Sequence, residues 1–198
     1  RICPEKISGQ RRLEISGQDA PHGIGWGKRK VLPLIEIRSQ FSLSQIELDN
    51  ISRGCKDAEM DVLEDVVAKA AQFEETLVYK GFEDGGIEGM IGSSDQKPVA
   101  LPKDAEEYPS AVAKAVEQVE LSGVEGPYTL VLGPDQYYAL LQSSERGYPK
   151  IRVIKDIIEG DVIKSPVLDG GVLVSTRGGD FELTIGKDFS IGYASHTR

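Results

Sequence analysis

The sequence predicts an α+β protein with a mostly antiparallel sheet. Three observations lead there. A long run near the first third carries apolar residues at helical spacing. Short β-rich runs gather towards the end of the chain. The order of elements is helix, strand, helix, helix and then several strands, which is not a series of repeated βαβ units.

Residues 1–30 have few apolar positions, and Gly9, Gly17, Gly23, Gly25 and Gly27 interrupt any periodicity. The repeat Ile7-Ser8-Gly9-Gln10 and Ile15-Ser16-Gly17-Gln18 predicts two extended stretches with turns, a long hairpin or arm. Such a segment cannot bury a core by itself. Lys30 to Leu43 is β-rich, and Ile35 and Ile37 alternate with Glu36 and Arg38 as in a strand. Ser44 and Glu47 have the spacing of a capping box, opening a short helix to Arg53 that Gly54 ends.

The clearest helix covers about Met60 to Lys80. Leu63, Val66, Val67, Ala70, Phe73 and Leu77 form one apolar stripe. Asp61, Glu64 and Asp65 lie in its first turns and Lys80 in its last, as the helix dipole favours, with Gly81 as the stop. A helix of about 20 residues is roughly 30 Å long, a structural spine for a chain of this size.

Glu83–Gly86 and Ile87–Gly89 read as turns, and Gly92–Pro98 as a polar connector. A second amphipathic helix over 109–121 puts Ala111, Val112, Ala115, Val116 and Val119 on one face. After Gly123 and Gly126 comes the strand Tyr128–Leu132. Pro134 opens a helix over Asp135–Leu141, Ser143–Tyr148 is a loop, and Pro149 starts a helix through Ile158. Strands are expected at Val162–Ser165, Gly171–Ser175 and Phe181–Ile185, with Arg177-Gly178-Gly179-Asp180 as a hairpin turn between the last two.

The 198 residues suffice for one sizeable core or two small ones. Hydrophobic residues are 39% and charged residues 28%, ordinary for a globular protein, and no run approaches the roughly 20 apolar residues of a membrane span. The first residues lack the layout of a secretory signal, so a cytosolic protein is expected. Cys3 and Cys55 make no disulfide framework. The net charge of -9 argues against nucleic acid as a partner. That charge is uneven. Residues 1–30 hold seven bases against three acids, a balance of +4, which leaves -13 for the rest. A basic arm on an acidic body is a disordered tail or the reach of a subunit onto its neighbour.

The chain offers little material for catalysis. His22 and His196 lie near opposite ends, and with Cys3 and Cys55 they show no metal-ligand spacing. Gly23-Ile24-Gly25-Trp26-Gly27 is not placed between a strand and a helix, nor followed by a Lys-Ser/Thr pair, so arm glycines are expected rather than a phosphate loop. Glu74 and Glu75 are adjacent on a helix and point about 100° apart, so they do not converge on one substrate. No Gly-x-Ser-x-Gly elbow is present. No catalytic residue, metal or cofactor is expected, and the default is an assembling or binding protein.

Several collinear blocks resemble one family. They are Pro33–Arg38, Phe41-Ser42-Leu43, Glu47–Gly54, Phe73–Gly81 and Gly86–Gly89, followed by Gly123–Tyr128, Gly147-Tyr148-Pro149, Ser175–Leu183 and Gly186–Tyr193. Together, from about residue 26 to 195, they resemble the encapsulin shell proteins, or linocin family. The resemblance implies a phage-capsid-like fold with a peripheral domain holding the spine helix, an axial domain and an extended loop. It places the loop or arm at 1–32, the peripheral domain at 33–101 with 187–198 returning to it, and the axial domain at 102–186.

It also implies a structural subunit of an icosahedral, homo-oligomeric nanocompartment in the cytosol. The compartment would enclose ferritin-like or peroxidase cargo enzymes bearing a C-terminal targeting peptide, with pores for small molecules and ions. Carried over position by position, Arg11, Arg12, Lys28, Arg29 and Lys30 belong to an arm that reaches a neighbouring subunit. Ser143, Ser144, Glu145, Arg146, Gly147 and Tyr148 fall where a five-fold pore is lined, the plain alternative being an exposed loop. Leu34, Asp188 and Ile191 match the luminal cargo groove. Some family members stack a flavin on an aromatic where Ile46 stands, so no flavin is expected here. Family sequences extend further at both ends, and this chain is expected to be the middle of a longer one. The alternatives are a phage or prophage major capsid protein of the same fold and, further off, a bacteriocin or protease.

Overall fold

Tyr128, Leu130, Val131 and Leu132 are all buried, and the strand that carries them, β5 (Tyr128–Leu132), is the centre of a three-stranded sheet. The computed structural model describes residues 34–145 and 147–196, together with the backbone of two strands, β1 (Arg12–Glu14) and β2 (Lys28–Lys30). These two pair antiparallel, Arg12 opposite Lys30 and Glu14 opposite Lys28. The expected hairpin character of the arm is therefore present, although at other residues than the Ile7 and Ile15 repeat, which lies outside the described residues.

Along the chain follow α1 (Gln45–Ser52), α2 (Asp61–Tyr79) and the small antiparallel pair β3 (Gly81–Phe82) and β4 (Ile87–Glu88), joined by one 3₁₀ turn. A second 3₁₀ turn leads into α3 (Tyr108–Leu121). After β5 come α4 (Pro134–Gln142), β6 (Ser144–Glu145), β7 (Tyr148–Pro149), α5 (Lys150–Ile158), β8 (Val162–Lys164) and β9 (Gly171–Ser175). The class is mixed α+β, as the periodicities predict.

The main sheet has the order β8-β5-β9. β9 is antiparallel to β5, but β8 is parallel to it, Leu130 opposite Val162. This corrects the expectation of a mostly antiparallel sheet. The two helices α4 and α5 carry the chain back over the sheet before β8 begins, and such a crossover returns a strand in the same direction.

The core forms where α3, α4 and α5 lie on this sheet. Tyr108, Val112, Val116, Leu132, Leu140, Ile154, Ile158 and Val162 close it. Leu132, Leu140, Ile154 and Ile158 are fully buried, each contributing about 1.5–3 kcal/mol through burial.

The spine helix α2 differs. Its stripe is in place, but of its residues only Leu77 is buried, while Val67 and Phe73 remain exposed. The core thus lies in the second half of the chain, and among the described residues the apolar stripe of α2 is only partly covered.

Four further expectations are corrected. The β-rich run before Leu43 is not a strand over its described part, residues 34–43, and neither is Phe181–Ile185. Ile35 and Ile37 are half-buried while Glu36 and Arg38 are exposed, so the period-two pattern persists without a ladder. Alternation selects a face, whereas a strand also needs a neighbour for its backbone groups. The Ser44–Glu47 capping box is not made. Ser44 precedes α1 without a side-chain cap, and the Glu47 carboxylate accepts from Asn50 Nδ2 at 3.4 Å and from Glu59 N at 3.3 Å. The Ser143–Tyr148 loop contains the β6–β7 pairing, with Gly147 at φ 84° in its turn. Gly178 and Gly179 adopt positive φ in the Arg177–Asp180 turn, but among the described residues no strand returns after it.

Candidate functional site

The hairpin between α4 and α5 is built by helix ends. Ser143 N and Oγ donate to Leu140 O at 3.2 and 2.8 Å, and Lys150 N donates to Ser143 O at 3.2 Å. Between these anchors Ser144 faces Pro149 and Glu145 faces Tyr148. Glu145, Gly147 and Tyr148 are exposed. Lys150 Nζ donates to Glu145 Oε2 at 2.6 Å, and this hydrogen bond and the lysine's charge hold the Glu145 carboxyl below its ordinary range. Arg146 lies outside the described residues. Lys150 was not singled out from sequence. Its one signal is the spacing of five from Glu145 across a glycine turn, which brings an acid and a base face to face.

The second expected set comes from both ends of the described chain. Leu34 is 64% exposed and Ile191 70% exposed. Leu34 Cδ1 lies 3.0 Å from where a Cβ on Gly186 would stand, so the segment that begins at Leu34 runs beside the one that carries Asp188 and Ile191. Asp188 Oδ1 accepts from Phe189 N at 2.7 Å. Around them Phe181, Leu183, Ile185, Phe189 and Tyr193 are exposed as well. Of the arm residues, Arg12, Lys28, Arg29 and Lys30 fall on β1 and β2, and Arg11 lies outside the described residues. Ile46 is exposed on α1.

Among the described residues no group of three His, Cys, Asp or Glu is placed to hold a metal. Cys55 is exposed, Tyr193 Oη and His196 Nδ1 share a hydrogen bond at 2.6 Å, and Cys3 and His22 lie outside the described residues. No helix among the described residues is long and apolar enough to cross a membrane.

The family model described as encapsulating protein for peroxidase (Linocin_M18) matches residues 6–198. The chain belongs to this family. Among curated relatives, the type 1 encapsulin shell protein of Mycolicibacterium paratuberculosis is 38% identical over 191 residues, covering 96% of this chain and 71% of the relative. That of Rhodospirillum rubrum is 41% identical over 170 residues, 85% of this chain and 61% of the relative. Both are named as shell proteins, a structural role. A crystal structure of a virus-like particle from Pyrococcus furiosus superposes with a TM-score of 0.46 at 22% identity, over 62% of this chain and 48% of that chain. Membership in the encapsulin family agrees with the resemblance drawn from the sequence blocks.

Proposed function

We propose that this encapsulin-family chain is a structural subunit of a closed, icosahedral protein compartment in the cytosol, and that it performs no bond chemistry. Residues 33–101, with 187–198 returning to them, would form its peripheral domain, residues 102–186 its axial domain and residues 1–32 an arm on a neighbouring copy. The loop 143–148 would line the five-fold opening. Leu34, Asp188 and Ile191 would meet a C-terminal targeting peptide of a peroxidase or ferritin-like cargo.

The observation that carries this reading is the exposed apolar surface of residues 181–193. Phe181, Leu183, Ile185, Phe189, Ile191 and Tyr193 all stand in solvent in the single chain. A monomer rarely leaves six large apolar side chains open in thirteen residues, and burial against further copies would remove them from water. Membership in a family described as encapsulating proteins supports further copies of the chain as what covers it.

Negative-stain microscopy of the purified protein, with mass spectrometry of what co-purifies, tests the reading. Closed particles holding a peroxidase or a ferritin-like passenger support it. Particles filled with nuclease-resistant DNA would turn it to a genome-enclosing capsid of the same fold.

A further inference from the structure

Lys150 is the one buried cation among the described residues, at 8% exposure. It occupies the first position of α5, where the helix dipole opposes positive charge. A lysine whose side chain is largely covered in such a place gains from a carboxylate that meets its head. Among the described residues that carboxylate is Glu145, which reaches back across the turn from the opposite strand of the hairpin at 2.6 Å. The glutamate itself is exposed, so little of its hydration is lost, and its negative charge sits near the end of α5 that favours an anion. The two lie five positions apart in sequence, with the turn and β7 between them.

We propose that Glu145 and Lys150 form a latch that fastens the Ser144–Pro149 hairpin to the N-terminus of α5, with Lys150 as a positioning residue for the loop. Lys150 is largely covered on α5, so the pair positions the exposed Glu145 rather than the reverse. Resting on the reading that this loop lines an opening of the shell, the latch fixes where the loop stands and balances the charge of Glu145 within the pair.

Hydrogen–deuterium exchange of the purified protein, in the state in which it assembles, tests this with four proteins: the parent, E145Q, K150M and the exchange variant E145K/K150E. In both single variants the amides of residues 144–148 and of Lys150 are expected to exchange roughly tenfold faster or more, the scale of a lost charge-assisted hydrogen bond. Amides of β5 keep the parent rate. The exchange variant puts the acid on the helix N-terminus and returns the hairpin to within about twofold of the parent. Unchanged hairpin exchange in E145Q and K150M would overturn the latch, and so would an exchange variant as fast as the single ones. Sedimentation of the same samples keeps the two readings apart. Small species with the expected exchange pattern contradict the shell and support the latch, whereas closed particles with unchanged exchange contradict the latch alone.

Discussion

Arg177 clasps Asp180 at two points, Nε to Oδ2 at 2.8 Å and Nη2 to Oδ1 at 2.9 Å, while its Nη1 donates to Gly123 O at 3.2 Å. The turn after β9 is thereby tied to the loop before β5. Ser175 Oγ and Thr176 Oγ1 add donations to Glu125 O and Pro127 O. Bidentate geometry is something a guanidinium supplies and an ammonium does not. R177K is therefore expected to lower the thermal midpoint although the charge is kept. A midpoint equal to the parent's would remove the clasp from the stabilising contacts.

The same pair fixes a pH dependence. The hydrogen bond and charge of Arg177 hold the Asp180 carboxyl below its ordinary value of 3.8, with burial opposing. A depressed folded-state pKa means that stability is present above the ordinary value and is lost as pH falls through the lowered one. D180N lacks this titration. It is expected to be less stable than the parent near neutrality and to lose less on acidification below 3.8, as read by urea unfolding across pH. Parallel curves for the two proteins would contradict the assignment.

Core and surface apolar residues should part company. Leu132 is fully buried, and L132A is expected to cost about 2–5 kcal/mol in denaturant unfolding of dissociated subunits. Phe189 and Ile191 are exposed in the single chain, so F189S/I191S should leave that unfolding almost unchanged and weaken assembly. A double variant that assembles like the parent would mean the run near the C-terminus meets no other copy.

Gly81 and Gly89 sit back to back. A Cβ on Gly89 would meet Gly81 N and stand 2.6 Å from Tyr79 O, and one on Gly81, at φ 81°, would stand 2.6 Å from Ile87 O. G89A should part β3 from β4 at about 1–3 kcal/mol, the scale of overpacking, and be visible in the thermal midpoint. An unaltered midpoint would show that the end of α2 yields freely.

The +4 balance of residues 1–30 against the -13 remainder leads to a salt test. Neutralising Arg11 and Arg12 should weaken assembly most at low ionic strength, where surface charges are least screened. Assembly that stays equal to the parent across a salt series would sink the docking of a basic arm on an acidic neighbour.

Much of the fold was legible because one period dominates each element. The stripe from Leu63 to Leu77 locates α2, and the face from Ala111 to Val119 locates α3, whose Ala111, Val112 and Val116 are buried. Periodicity reports which face is apolar, however, and not what covers it. For that reason Phe181–Ile185 and the run before Leu43 read as strands and stand without a ladder. The parallel course of β8 depends on two helices crossing the sheet, a tertiary matter that no local pattern of Val162–Lys164 encodes. Glu47 shows the same limit at one residue, its carboxylate meeting Asn50 and the backbone of Glu59 where a capping box was expected. The 143–148 segment read as a loop, because the two-residue strands Ser144–Glu145 and Tyr148–Pro149 are too short to show a period. The burial of Lys150 was not readable, because a lysine after a proline reads as solvent-facing until the core behind α5 is in view.

Sedimentation velocity of the purified protein over a range of concentrations tests the shell most directly. Closed assembly predicts one fast, narrow boundary that persists on dilution, far heavier than any small oligomer. A protein that stays monomeric or dimeric at high concentration would contradict it.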